Sequence, residues 1–258
     1  MLNSTLYYTM VARDYSKSLA NAAANPSVKR ETAYFRANIG NVKTVDDLLN
    51  NSKLYNYVMT AFGLKDMAYA KGLIRQVLTG GVATSKSLAN TLSDPRYRAL
   101  ASAFNFAADG AATTSSASLQ QTTISNFDEQ ALEANVGKTS PGAQMALYFQ
   151  RMAPSIASAY SILGDKTLLK VVETAYGLSP SMSQQTIDKQ AKTISSLVKI
   201  SDLQKPAYLQ KLLERFTANY DAQNPATAAI TPANALQVTS PGISQNLLLS
   251  VANLRQGG

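Results

Sequence analysis

The segment Leu54-Tyr-Asn-Tyr-Val-Met-Thr-Ala-Phe-Gly-Leu64 has a second version 114 positions later, Leu168-Leu-Lys-Val-Val-Glu-Thr-Ala-Tyr-Gly-Leu178. Both versions carry apolar residues at i, i+4, i+7 and i+8: Leu54, Val58, Ala61 and Phe62 in one, Leu168, Val172, Ala175 and Tyr176 in the other. That spacing lays one apolar stripe along one face of a helix. Gly63 and Gly177 stand where a left-handed residue closes a helix, since glycine carries no Cβ penalty there. Leu64 and Leu178 follow, at the position that packs back onto the last turn.

The match extends outward from this helix. It runs without a gap from Tyr34 to Leu64 against Tyr148 to Leu178, with Tyr34/Tyr148, Phe35/Phe149, Leu49/Leu163 and Thr60/Thr174 among its identical pairs. It resumes after Pro95 (Tyr97, Leu100, Ala101, Phe104) and after Pro206 (Leu209, Leu212, Leu213, Phe216), where the offset has become 112. These are core-facing spacings, so the repeat speaks for fold and names no ligand.

The remaining segments read as helices too. Residues 4–23 form one amphipathic stretch through Tyr8, Val11, Tyr15 and Leu19, ended by Asn25-Pro26, with Ser27 as the next cap. Thr44 with Asp47 reads as a capping box, and Asn51 or Ser52 opens the first copy of the repeated helix. Further helices start at Asp66, Ser85 and Asp94-Pro95. The small, polar stretch 107–118 reads as a link. A helix over 119–135 follows, then one from Thr139-Ser-Pro-Gly142 that Pro154 divides, then helices from Asp165, over 184–198 and from Pro206. Residues 224–242 turn to Ala, Thr, Pro and Asn, and a last helix over 243–254 carries Ile243, Leu247, Val251 and Leu254. No segment alternates as a strand. The expected fold is all-α: an internally duplicated multi-helix bundle with halves 1–110 and 111–223 packed together, followed by a loop and helix over 224–258.

Composition narrows the chemistry. The 258 residues include no Cys, His or Trp, and 45% are hydrophobic. Disulfides, thiolate metal sites and Ser-His-Asp or Cys-His catalysis are excluded. Residues 1–110 carry 13 basic and 7 acidic groups and residues 111–258 carry 11 and 9, so the net charge of +8 divides as +6 and +2. Val136-Gly-Lys-Thr-Ser140 lacks the upstream glycine and strand of a phosphate-binding loop, and reads as one helix end followed by a new cap. Tyr34 beside Arg36, and Tyr97 between Arg96 and Arg98, could stack on nucleic-acid bases. Their places on the apolar stripes favour the core instead. No stretch is long and apolar enough to span a membrane, and the N-terminal residues lead us to expect no cleaved secretory signal.

Several residues carry a family likeness. Pro26-Ser-Val-Lys-Arg-Glu-Thr-Ala-Tyr-Phe35, Val45-Asp-Asp-Leu-Leu49, Ala61-Phe-Gly-Leu64, Ala146-Leu-Tyr-Phe149, Ala159-Tyr-Ser-Ile-Leu163 and Arg215-Phe-Thr217 are similar to a bacterial domain-of-unknown-function family, numbered 1217, met mostly in alphaproteobacteria. The resemblance covers about residues 5–225. Members are often linked to flagellar gene clusters, so it implies a flagellar role, and it lends no catalytic residue. The expectation is a non-enzymatic flagellar protein without metal or cofactor, working by protein–protein contacts in the flagellum or cytoplasm, with other flagellar proteins as partners. Ile243, Leu247, Val251 and Leu254 are its expected partner surface, and no oligomeric state follows from the sequence. The alternative is a cytoplasmic module that binds nucleic acid or a membrane surface through its basic first half.

Overall fold

The computed structural model describes residues 3–225, and the segment that carries Ile243, Leu247, Val251 and Leu254 lies outside them. Among the described residues there are fifteen α-helices and no strand. In the first half these are α1 (Ser4–Arg13), α2 (Tyr15–Ala23), α3 (Pro26–Asn38), α4 (Val45–Asn50), α5 (Ser52–Ala61), α6 (Lys71–Gly80), α7 (Leu88–Thr91), α8 (Pro95–Ala103) and α9 (Phe106–Asp109). The second half contains α10 (Ala117–Gly137), α11 (Pro141–Met152), α12 (Ala159–Leu163), α13 (Lys166–Tyr176), α14 (Ile187–Leu197) and α15 (Pro206–Gln223).

The local rules place most of these helices. Thr44 and Asp47 close the capping box on α4, with Asp47 N donating to Thr44 Oγ1 at 3.1 Å and Thr44 N to Asp47 Oδ2 at 2.9 Å. Asn51 caps α5 and Asp165 caps α13. Both repeated helices end in the same motif. Gly63 (φ 70°) and Gly177 (φ 63°) are left-handed. Leu64 N reaches Met59 O at 2.7 Å and Leu178 N reaches Glu173 O at 2.9 Å, while the glycine amides reach Thr60 O and Thr174 O.

Several boundaries differ from the sequence reading: the helix expected from Ser85 begins only at Leu88, and the one expected over 184–198 runs Ile187–Leu197. The stretch 4–23 breaks at Asp14 into two helices. The cap of α3 is Asn25, with Pro26 at the first helical position, instead of Ser27. Asp66 lies in a single 3-10 turn, and α6 begins only at Lys71. The expected link is itself helical: α9 runs into a 3-10 segment, Gly110–Ser115, where Thr114 is buried and donates to Val42 O at 2.6 Å.

The helices enclose two apolar cores within one compact unit. The first gathers Phe35, Leu48, Leu54, Val58, Ile74, Leu100 and Phe104 from α3–α8, and the second Phe149, Ile162, Leu168, Val172, Leu213 and Phe216 from α11–α15. The division near residue 110 does not separate them. Helix α10 sinks Leu119, Ile124 and Phe127 into the first core and Leu132 and Val136 into the second. In exchange, Tyr8, Val11 and Ala22 of α1 and α2 are buried in the second core. The ring of Phe127 stacks on Tyr57 with centroids 3.9 Å apart, and Tyr57 stacks on Phe35 at 4.5 Å. Truncating Phe127 to Ala removes the end of this stack and leaves a cavity, so we expect a loss of about 3–5 kcal/mol in urea unfolding.

Candidate functional site

Two places stand out: a buried charged cluster between the halves, and a largely apolar groove along α1 and α15.

The charged cluster is organised by Arg96, the second residue of α8. Its Nε lies 3.0 Å from both oxygens of Asp94, its Nη2 2.8 Å from Asp94 Oδ2, and its Nη1 donates to Gly63 O at 2.5 Å. Arg96 therefore grips both the cap of its own helix and the closing turn of α5. Across the seam, Asp165 Oδ2 is 3.5 Å from Arg96 Nε. The same oxygen accepts the Tyr148 hydroxyl, while Oδ1 takes the amides of Thr167 and Leu168. A second arginine, Arg151 of α11, lies over the Tyr148 ring at 5.1 Å and pairs with Glu133 at 2.6 and 3.2 Å. Gly164 makes room for the contact, because a Cβ there would stand 2.7 Å from Asp94 N and Ser93 C.

Perturbed ionisable groups often mark active sites. Burial alone would lower the Arg96 pKa, but the hydrogen bonds and charge of Asp94, with Tyr148 and Asp165, carry it upward. Burial raises Glu133, against the opposing charge and hydrogen bonds of Arg151. Burial also raises Tyr148, and Asp165 pushes it further. Each of these groups is turned on a protein partner, and none lines one of the molecule's larger clefts. The arrangement serves as a clasp between the halves. Glu133 titrates above the ordinary glutamate value in the folded chain, so the folded state holds its proton more tightly than the unfolded one. Its contribution to stability is thus full below the unfolded pKa and declines as pH rises through the folded value. Glu133→Gln should flatten that decline in urea midpoints measured between pH 4 and 8. Gly164→Ala forces the Ser93–Asp94 backbone away and should cost about 1–3 kcal/mol, whereas Gly40→Ala, with nothing within 4 Å of its Cβ, should shift the midpoint little.

The groove follows α1, which runs antiparallel to α15. Asp221 Oδ1 takes the Ser4 amide at 2.9 Å, and Oδ2 takes the Thr5 amide at 3.1 Å. At the other end, Ala12 and Arg13 face Pro206, Leu209 and Gln210 across a cleft of ≈ 750 Å³. A further cleft of ≈ 670 Å³, between Leu6, Thr9, Ala218 and Asp221, extends it toward the start of α1. The outer side of α1 is unusually apolar for an exposed face: Leu6 is 61% and Met10 58% exposed, one turn apart. Burial would raise Asp221, but its hydrogen bonds with Ser4 and Thr5 outweigh it and hold the carboxyl below the usual range. This stabilising term is present above the unfolded pKa and is lost as pH falls through the folded value. We expect Asp221→Ala to cost about 1.5–3 kcal/mol, and to speed amide exchange in α1 more than in α5.

The aromatic–basic pairs do not form a base-stacking site. Tyr97 is buried in the first core and Arg96 is bound within the clasp. Tyr34 is half-buried under Lys53, whose Nζ is 5.0 Å from the ring centroid. The polar cleft beside Tyr34, ≈ 690 Å³, is lined by side chains already engaged locally: Asn38 bonds Tyr34 O, Asn51 caps α5 and Asp47 closes its capping box. Among the described residues no group of carboxylates is placed to hold a metal ion, and no helix is long and apolar enough to cross a membrane. Neither the clasp nor the groove is visible in the order of the residues. Asp165 was legible as a helix cap, but its second role depends on a residue 69 positions away, Arg96.

Comparison with known proteins places the chain. The family model described as "Protein of unknown function (DUF1217)" matches residues 61–209, more than half of the chain, and the protein belongs to that family. A crystal structure of a protein from Agrobacterium tumefaciens, solved as a structural-genomics target, is similar to it: 42% identity over 87% of this chain and 96% of that one, with a TM-score of 0.79. No curated protein matches the chain.

Proposed function

We propose that this is a non-enzymatic protein of the bacterial flagellar system, acting in structure or assembly through protein–protein contacts. The observation that carries the contact role is the α1–α15 groove, with Leu6 and Met10 beside it left to solvent. Apolar side chains so placed gain most by meeting an apolar face of a partner. The clasp supports a role without catalysis, since its arginines and carboxylates are spent on one another. The flagellar part of the reading rests on the family's association with flagellar gene clusters. The apolar stripe Ile243, Leu247, Val251 and Leu254 is proposed as a second contact element on the grounds of its spacing.

A gene deletion in the flagellated host tests this. We expect reduced swimming in soft agar, restored by the natural chain and not by a Leu6→Asp/Met10→Asp variant that retains native helicity. Unchanged motility of the deletion strain, or full rescue by the double variant, contradicts the proposal. Binding that weakens steeply with salt would instead favour an anionic partner.

A further inference from the structure

Helix α1 is joined to α2 through Asp14, whose backbone (φ −127°, ψ 53°) interrupts what the sequence writes as one helix. The stretch Val11-Ala-Arg-Asp-Tyr-Ser16 contains neither glycine nor proline. Sharp breaks normally have such a local cause, so here the cause is tertiary: α1 folds back because Ser4, Tyr8 and Val11 are buried against α11 and α15. An aspartate does not by itself break a helix in this chain: α10 continues through Asp128 without interruption. That continuous helix places its leading end in one core and its trailing end in the other.

We propose that α1 is an exchangeable arm: straightened into one helix with α2, it docks on α11 and α15 of a second copy, giving a reciprocal, arm-exchanged dimer. The occupant is fixed by chemistry already present. Every contact that holds α1 in one chain can be remade between two, including the Ser4 and Thr5 amides on Asp221, the Ser140 hydroxyl on Ser4 Oγ, and Tyr8 Oη on Gln150 at 2.9 Å. What changes is the hinge. In the bent form the amides of residues 15–17 open a helix and have no intrahelical acceptor, because the first bond of α2 is Ser18 N to Asp14 O. A straight helix supplies acceptors to all of them. Domain swapping is a low-cost route to dimers where a hinge can adopt two conformations.

The test uses the full chain, refolded from urea at low and high concentration. Light scattering coupled to gel filtration should show a species of twice 27.6 kDa that grows with refolding concentration. The chain has no cysteine, and Ser4 Oγ lies 3.1 Å from Ser140 Oγ, so Ser4→Cys/Ser140→Cys reports where the arm sits. Oxidation should link two chains in the dimer fraction and close within one chain in the monomer fraction. Two hinge variants decide independently, should the cysteine pair perturb folding. Asp14 makes no side-chain cap bond, so Asp14→Ala leaves the bent form its contacts while favouring the straight one, and should raise the dimer share several-fold. Ser16 is exposed in the first turn of α2, where proline is tolerated, but it would be interior to a straight helix. Ser16→Pro should lower the dimer share at least tenfold. Absence of dimer at every concentration, a dimer whose link stays within each chain, or a Ser16→Pro variant that dimerises like the natural chain overturns the proposal.

Discussion

Helix α10 cannot bury its apolar residues within one half of the chain. Leu119, Ile124 and Phe127 need the first core, while Leu132 and Val136 need the second. A helix of 21 residues is about 30 Å long, enough to pass from one core to the other. Because it is one rigid element, neither core can open at its α10 face without disturbing the other. Helices α1 and α2 complete the exchange by covering part of the second core. The halves are thus tied by shared burial, which is a stronger constraint than the chain connection between them.

The buried charges sit where that constraint brings polar helix ends together. The closing turn of α5, the cap of α8 and the cap of α13 meet at the seam, and each presents a carbonyl or carboxylate that burial would otherwise leave costly. Arg96 answers all of them with one planar fork of donors. Arg151 does the same for Glu133, which projects from near the C-terminal end of α10. Gly164 is the steric condition for this meeting, since any larger residue would hold the backbones apart. Removing one member of such a cluster leaves its partners charged and buried, so breaking the cluster costs more than the intact cluster contributes.

Much of this was legible in the residues. The apolar spacing gave the all-α class, and Gly63 and Gly177 marked helix ends that adopt the left-handed geometry expected of them. Asp94-Pro95 and Thr44 with Asp47 announced caps that are present. Other features could not be read. The break at Asp14 has no glycine or proline to announce it, because docking of α1 imposes it. Periodicity shows which face of a helix is apolar but not which element covers it, so the crossing of α1 and α10 between cores was hidden. The small residues of 107–118 suggested a link, yet short side chains also permit the close 3-10 packing that buries Thr113 and Thr114. The groove beside α1 was equally invisible, being a product of how α1 meets α15 and not of either helix alone.

Shared burial of α10 makes a direct statement about cooperativity. Hydrogen exchange followed by mass spectrometry, across sub-denaturing urea, reads the opening free energy of α5 in the first core and of α13 in the second separately. The two should converge on one value with the same urea dependence, because loss of either core strips α10 from the other. Two distinct values with separate urea dependences, one per core, would show that the halves unfold independently and that the shared helix does not govern the fold.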